Sequence, residues 1–277
     1  MTLKADNLTL GYKEKVIIKD TSLTIKPGQI TSLIGPNGSG KSTLLKALAG
    51  ILTPLQGQVT LDNKRLSQWP SKQLAQRLAL LSQHPVAPEN ISVQQLVSYG
   101  RYPYQGLFGQ NNQQDLEAVE WALEITQMIE LRHRGFDTLS GGERQRGWIA
   151  LALAQQSDIL LLDEPTTYLD IGHQMEILDL LANLNQQYQL TLVMVLHDIN
   201  QASQYSHRLL AMQQGELIAD GLPKDVFSGE LLRDLFGIES EIIYRHKSTQ
   251  SYPFSIPIRA QNRLSKSDQT LAKSRGS

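Results

Sequence analysis

The sequence has no cysteine among its 277 residues. That excludes disulfides and thiolate-bound metals, and it suits a reducing compartment. Net charge is nearly absent too, with 26 Lys and Arg against 27 Asp and Glu. A chain so balanced carries no overall footprint for nucleic acid, and no nucleic-acid partner is expected. Long apolar runs are missing. The longest, Trp148 to Ala154, falls far short of the ~20 residues that cross a bilayer. The start, Met1-Thr2-Leu3-Lys4-Ala5-Asp6, has no apolar stretch of the signal-peptide kind, so no leader is expected. Membrane association is expected only through a partner. No internal repeat is present. Hydrophobic residues make up 40%, enough for a substantial core, and the length suits one large or two small domains.

What is present centres on Gly35-Pro36-Asn37-Gly38-Ser39-Gly40-Lys41-Ser42-Thr43. This stretch meets the P-loop pattern G-x-x-x-x-G-K-[ST] at each required position. The apolar run Ile30 to Ile34 before it reads as a strand, and Thr43 to Ala49, closed by Gly50, reads as a helix. Strand, glycine-rich loop and helix start leave backbone N–H groups and the positive end of a helix dipole facing one hollow, which suits phosphate. Lys41 is expected to reach the β- and γ-phosphates, and Ser42 to ligate Mg²⁺. A plain hairpin turn at Asn37-Gly38 would leave Lys41 solvated, but the flanking strand and helix do not suit it.

Residues 3–34 look β-rich, with Leu8 and Leu10, then Leu23 and Ile25, alternating with polar residues. Tyr12 follows the first strand and could stack on a base or simply pack at a sheet edge. Residues 57–66 suggest a short hairpin. Gln83 ends the run Leu78 to Ser82 beside Pro85 and Pro88, as a hinge or an ordinary loop glutamine would. Residues 90–156 are helical in pattern, interrupted from Arg101 to Gly109, and read as an insertion. Within it, Ser140 and Glu143 form an S-x-x-E capping box beside Gly141 and Gly142. This is either a well-capped helix or a second phosphate site. Gly147 inside the helix should cost about 1 kcal/mol relative to Ala, so a close helix contact is expected there.

Ile159 to Leu162 is apolar throughout, as a buried parallel strand should be, and it ends in Asp163-Glu164. Carboxylates at the C-terminal end of such a strand lie where open α/β sheets bind ligands. Asp163 can hold Mg²⁺, usually through water, and Glu164 can take a proton from an attacking water. His173 to Tyr188 reads as a helix and Leu190 to Leu196 as another buried strand, ending at His197. Leu209 to Ala219 suggests a closing hairpin, and Leu231 to Phe236 a short helix. Beyond about residue 246 the pattern fades. Residues 259–277 hold five basic residues against one acidic, and a flexible basic tail, dispensable for hydrolysis, is expected over 246–277.

With the P-loop, Ser140-Gly141-Gly142, Asp163-Glu164 and His197 in this order, the chain resembles the ATPase subunit of an ATP-binding cassette transporter over about residues 2–245. The resemblance implies an α/β P-loop NTPase core, a mostly parallel sheet flanked by helices. It adds an N-terminal antiparallel β-subdomain and an inserted helical subdomain over about 90–156, all within one domain, 1–245. It implies ATP and Mg²⁺ as ligands. Tyr12 becomes the adenine-stacking aromatic, Gln83 the contact to Mg²⁺ and attacking water, and His197 the switch histidine. Leu139, Ser140, Gly141, Gly142 and Glu143 become the signature that contacts ATP on the opposite protomer. Tyr168-Leu169-Asp170 becomes the dimer-contact loop. A homodimer is implied, bound at the cytoplasmic face of the membrane to permease subunits, with a substrate-binding protein acting through the permease.

Two finer stretches, Gly100-Arg101-Tyr102-Pro103-Tyr104 and Glu164 to Asp170, resemble the ferric-siderophore branch, with haem and vitamin B12 importers as relatives. A cassette protein acting on nucleic acid or ribosomes would usually carry a coiled-coil insertion or a second cassette, and neither is present. A GTPase would need Asn-Lys-x-Asp, but Asn63-Lys64 is followed by Arg65-Leu66.

Overall fold

The computed structural model describes residues 1–13, 15–106, 112–247 and 250–260. Leu107, Phe108 and Gly109 of the expected interruption, and the basic residues after 260, lie outside the described residues.

The chain opens with β1 (Leu3–Tyr12) and β2 (Lys15–Ile25), paired antiparallel. In β1, Leu3 and Ala5 point inward, as do Leu8 and Leu10. The change of phase between these pairs is absorbed by Asn7 at φ 49, at an irregularity in the ladder. Next come β3 (Ile30–Ile34), α1 (Lys41–Leu48), β4 (Gln56–Leu61) and β5 (Lys64–Arg65). The order β2-β1-β4-β5 makes a four-stranded sheet lying over α1.

The remaining elements build the core and the insertion. They are α2 (Ser71–Arg77), β6 (Leu78–Leu81), α3 (Val93–Ser98), α4 (Gln113–Ile125), α5 (Gly141–Ala154) and β7 (Ile159–Asp163). After them come α6 (Ile171–Tyr188), β8 (Thr191–Val195), α7 (Ile199–Tyr205), β9 (Arg208–Gln213) and β10 (Glu216–Gly221). The central sheet runs β10-β9-β3-β8-β7-β6, parallel except for β10. Its parallel strands are largely buried on both faces, whereas β10 is exposed on one. Leu161, Val193 and Leu210 pack toward α1, while Leu160, Leu162, Leu192 and Met194 pack toward the helices of the other face. The period of two thus feeds two separate cores, which is why these strands read as unbroken apolar runs.

The insertion is tied at its base by Arg101, which is 3% exposed. Its guanidinium donates to Asp115 at 2.8 Å, at the start of α4, and to the Ala154 carbonyl at 2.8 Å, at the end of α5. The Tyr104 ring lies 3.8 Å from that guanidinium. Burial pushes the Tyr104 hydroxyl pKa up, opposed by the Arg101 charge. Gly100 is required because a Cβ there would sit 2.3 Å from the Leu151 carbonyl oxygen. Gly147 has the expected close contact, although with a ring rather than a helix: a Cβ would meet Phe136 at 2.7 Å.

The chain continues through α8 (Pro223–Val226) and α9 (Gly229–Phe236) into β11 (Ile238–Lys247) and β12 (Gln250–Ala260). The last two pair antiparallel and pack on α7 and α9. The expected start of a flexible tail at 246 therefore falls inside an ordered hairpin, and for residues 246, 247 and 250–260 that expectation is corrected. Tyr252, Phe254, Ile256 and Ile258 alternate with Ser and Pro. Backbone pairing and helix contact supply the order where the sequence pattern reads as fading.

His207 links β9 to the start of β3: its Nδ1 accepts the Ile30 N–H at 3.0 Å. Burial lowers its pKa. The folded state thus favours neutral imidazole. The stability it contributes is present above the ordinary histidine pKa and is lost as pH falls through the depressed folded value. The melting temperature should drop between about pH 7.5 and about pH 5.5, and His207→Asn should flatten that slope. Equal slopes for the two proteins would show that His207 is not a source of the pH dependence.

Candidate active site

Parallel β3, β6, β7 and β8 end at one edge of the sheet, and each runs into a site residue. β3 leads to Gly35, β6 to Gln83, β7 to Asp163 and Glu164, and β8 to His197. At the first of these, the loop wraps the start of α1. Gly35 sits at φ 144 with the Met212 carbonyl oxygen 2.1 Å from where a Cβ would be, and Gly38 sits at φ 78. Both positions demand glycine. Gly40 caps α1 at φ 103, and no side chain caps the free N–H groups of the first turn. The Ser39 hydroxyl is buried without a hydrogen-bond partner among the described residues. Uncapped amides and an orphaned hydroxyl around one hollow are what a phosphate chain would satisfy.

Lys41 completes the hollow. It is 5% exposed, and its Nζ donates to the Gly35 carbonyl at 2.9 Å and the Pro36 carbonyl at 3.0 Å. Burial lowers its pKa, while the Glu164 and Asp163 carboxylates raise it. A buried ammonium whose hydrogen bonds among the described residues go to two carbonyls gains from an anion. The Ser42 hydroxyl donates to Asp163 Oδ1 at 2.8 Å. Burial pushes the Asp163 carboxyl pKa up, and that hydrogen bond pulls it back. Among the described residues no three His, Cys, Asp or Glu side chains cluster to hold a metal. The donor set here, one carboxylate and one hydroxyl beside a phosphate hollow, fits an ion of the Mg²⁺ kind, which takes few protein ligands.

Glu164 adopts φ 56, a strained conformation for a residue with a side chain. The turn brings its carboxylate under three groups. Gln83 Nε2 and the Thr167 hydroxyl both donate to Oε2, the latter at 3.0 Å, and His197 Nε2 lies 2.6 Å from Oε1. The structure thus joins Gln83, Glu164 and His197, as the sequence suggested, and it adds Thr167. The signal for Thr167 was a hydroxyl three residues past Glu164 in a proline turn.

Tyr12 and the Ser140 turn lie outside this cluster, whereas Tyr168 borders it in one pocket with Glu164, Thr167 and His197. Tyr12 ends β1, exposed, on the hairpin whose second strand packs on the P-loop through Ile17 and Ile18 at Gly40. Ser140 caps α5, with its side chain and that of Glu143 forming the expected box, and Leu139 is buried just before it. The Ser140 hydrogen bonds hold the Glu143 pKa below the usual range. Gly142 packs on His173: a Cβ would meet the imidazole at 2.6 Å, whereas one at Gly141 would meet only Leu169 at 4.0 Å. Tyr168, at φ 66 and 85% exposed, stacks 6.2 Å from His84. Asp170 was expected only at a dimer contact, yet it also caps α6 by accepting the His173 N–H at 2.9 Å.

The sequence profile of the family described as "ABC transporter" matches residues 18–167. The chain belongs to that family. As an ABC cassette it binds and hydrolyses ATP. The iron(3+)-hydroxamate import ATP-binding protein of Bacillus subtilis is 46% identical over 242 residues, covering 87% of this chain and 90% of that one. The ferric enterobactin transport ATP-binding protein of Escherichia coli is 45% identical over 241 residues, covering 87% and 89%. Among solved structures, an inward-facing transporter described as of metal-chelate type superposes with a TM-score of 0.81 at 27% identity, covering 93% of this chain and 98% of that one. A dimeric bacterial ABC transporter cassette superposes with a TM-score of 0.70 at 29% identity, covering 79% and 98%.

In this cassette Lys41 is the buried cation of the P-loop hollow. Lys41→Ala should cut turnover at saturating Mg-ATP by at least about a hundredfold, the usual cost of losing one such charge-stabilising group. Turnover within about twofold of the parent would remove Lys41 from the reaction.

Proposed function

We propose that this cassette is the ATP-hydrolysing subunit of an importer for iron(III)–siderophore complexes. It works as a head-to-tail pair on the cytoplasmic face of the membrane, bound to permease subunits that a substrate-binding protein serves. The observation that carries the cargo is identity near 45% across almost the whole chain to siderophore-import ATPases. No helix among the described residues is long and apolar enough to cross a membrane. The stretch between Gln83 and Tyr104 exposes Val86 and Tyr102, at 89% and 67%, and this mouth suits a cytoplasmic helix of the permease.

The phosphates of ATP lie on the uncapped start of α1, with Lys41 on the β- and γ-phosphates and the base against Tyr12. Ser42 and, partly through water, Asp163 and Gln83 would hold Mg²⁺, which would supply positive charge against the phosphates. Glu164 accepts the proton of the attacking water. Gln83, Thr167 and His197 hold its carboxylate in one orientation, so little reorganisation is needed when the proton arrives. Leu139 to Glu143 face the ATP of the other protomer, where the start of α5, its Ser140 and Glu143 N–H groups taken by the capping box, turns Gly141 and Gly142 toward it. Tyr168, Leu169 and Asp170 meet the partner in the same closure.

Glu164→Gln keeps the shape and loses the proton acceptor. It should retain less than about 1% of turnover and run as an ATP-bound dimer on size exclusion. Adding Gly141→Asp sets a charge against the partner's γ-phosphate. The open space at Gly141 lets the variant fold, and it should bind ATP yet stay monomeric. A monomeric Glu164→Gln, or a dimeric double variant, would contradict the head-to-tail reading. For the cargo, ATPase activity of the reconstituted permease complex should rise with binding protein loaded with a ferric siderophore. Equal or greater stimulation by haem or cobalamin would redirect the assignment.

A further inference from the structure

Helix α7 is only seven residues long and follows His197-Asp198 directly. Two turns of helix do not hold themselves, so what fixes α7 also fixes the loop that carries His197. Asp198 caps it, accepting the N–H groups of Asn200 at 2.8 Å and Gln201 at 3.0 Å. From α6, Gln174 Oε1 accepts from Gln201 Nε2 at 2.7 Å, and Gln174 Nε2 donates to the Leu169 carbonyl at 3.0 Å. The third hold comes from the C-terminal hairpin.

The outer edge of β12 has few amides to offer. Pro253 and Pro257 have no N–H, which leaves Ser255, two residues from each, as the donor between them. Ser255 N–H donates to Asn200 Oδ1 at 2.7 Å, and Asn200 Nδ2 donates back to the Ser255 carbonyl at 3.0 Å. The carboxamide of Asn200 thus pairs with β12 as a one-residue strand would. One turn on, the Ser203 hydroxyl donates to the Pro253 carbonyl at 2.6 Å. Ser203 and Ser255 are both buried, at 1% and 0% exposure. An edge that would otherwise be open is closed on the helix behind the catalytic histidine.

We propose that the C-terminal hairpin is a positioning element for hydrolysis: by gripping α7 through Asn200 and Ser203, it holds His197 against Glu164. Asn200 and Ser203 are positioning residues, since neither touches the reacting groups. The proposal rests on the reading above, in which His197 and Glu164 act at the γ-phosphate.

The test uses the full-length chain and a double-mutant cycle. Asn200→Ala should lower kcat about tenfold or more through misplaced catalytic groups, with KM and Mg-free ATP affinity within about twofold. Ser203→Ala, which deletes one hydroxyl, should give a smaller loss of the same kind and serves if Asn200→Ala does not fold. His197→Ala should lower kcat further than either. In the His197→Ala background, Asn200→Ala and Ser203→Ala should add nothing, because the group they position is gone. A merely structural hairpin would give losses that multiply with His197→Ala. Multiplying losses, or single variants with parental kcat beside an inactive His197→Ala, would overturn the hairpin's role and leave the catalytic reading intact. A His197→Ala protein with parental turnover would overturn the catalytic reading itself, and the proposal with it.

Discussion

Parallel pairing imposes one constraint from which the rest follows. β3, β6, β7 and β8 run the same way, so their C-terminal ends share an edge. Each connection has to cross a face and return, which spends dozens of residues between neighbouring strands. Site residues that are distant in sequence, from Gly35 to His197, thereby become neighbours. Gln83 and Glu164 are 81 residues apart and hydrogen-bonded. The strands hold this edge rigidly because both of their faces are buried, in two separate cores.

The edge is unfavourable to build. A lysine is buried against carbonyls, an aspartate is partly desolvated, and Glu164 takes a left-handed backbone conformation. Each of these raises the free energy of the folded chain. Phosphate would offset the first and a divalent cation the second, while the backbone strain at Glu164 stays and aims its carboxylate. The surrounding structure over-determines these features: Glu164 alone is held by Gln83, Thr167 and His197. Strain kept at a rigid edge makes the site ready before its substrate arrives.

Much of this edge was legible in the sequence because its chemistry is local. The P-loop is contiguous, and the Asp163-Glu164 pair ends an unbroken apolar run. The capping box at Ser140 needs only four residues. Other contacts were less visible even where they span only three residues. Thr167 looked like one more residue in a turn, and Asp170 gave no sign of capping α6 as well as reaching outward. The largest difference lies at 250–260, a strand holding Pro253 and Pro257 where the sequence pattern reads as fading into a tail. On an edge strand they are tolerated, because the missing N–H groups face away from the pairing partner. The alternation of Tyr252, Phe254, Ile256 and Ile258 was present but masked. Nothing local could reveal that Asn200 would supply the missing edge partner.

The ion pair at the base of the helical insertion has a consequence for how this sequence can drift. Arg101 and Asp115 are both almost wholly withdrawn from water. Replacing either alone strands the other charge in the interior, at a cost of about 3–5 kcal/mol, whereas exchanging both for apolar residues can be nearly neutral. The Ala154 carbonyl and the Tyr104 ring also depend on the guanidinium. The two positions therefore form a mutational lock. Single steps away from it are steeply uphill, and the route out needs both changes at once, with the neighbours repacked. The insertion's helices can vary widely on their surfaces while their attachment to the core stays fixed.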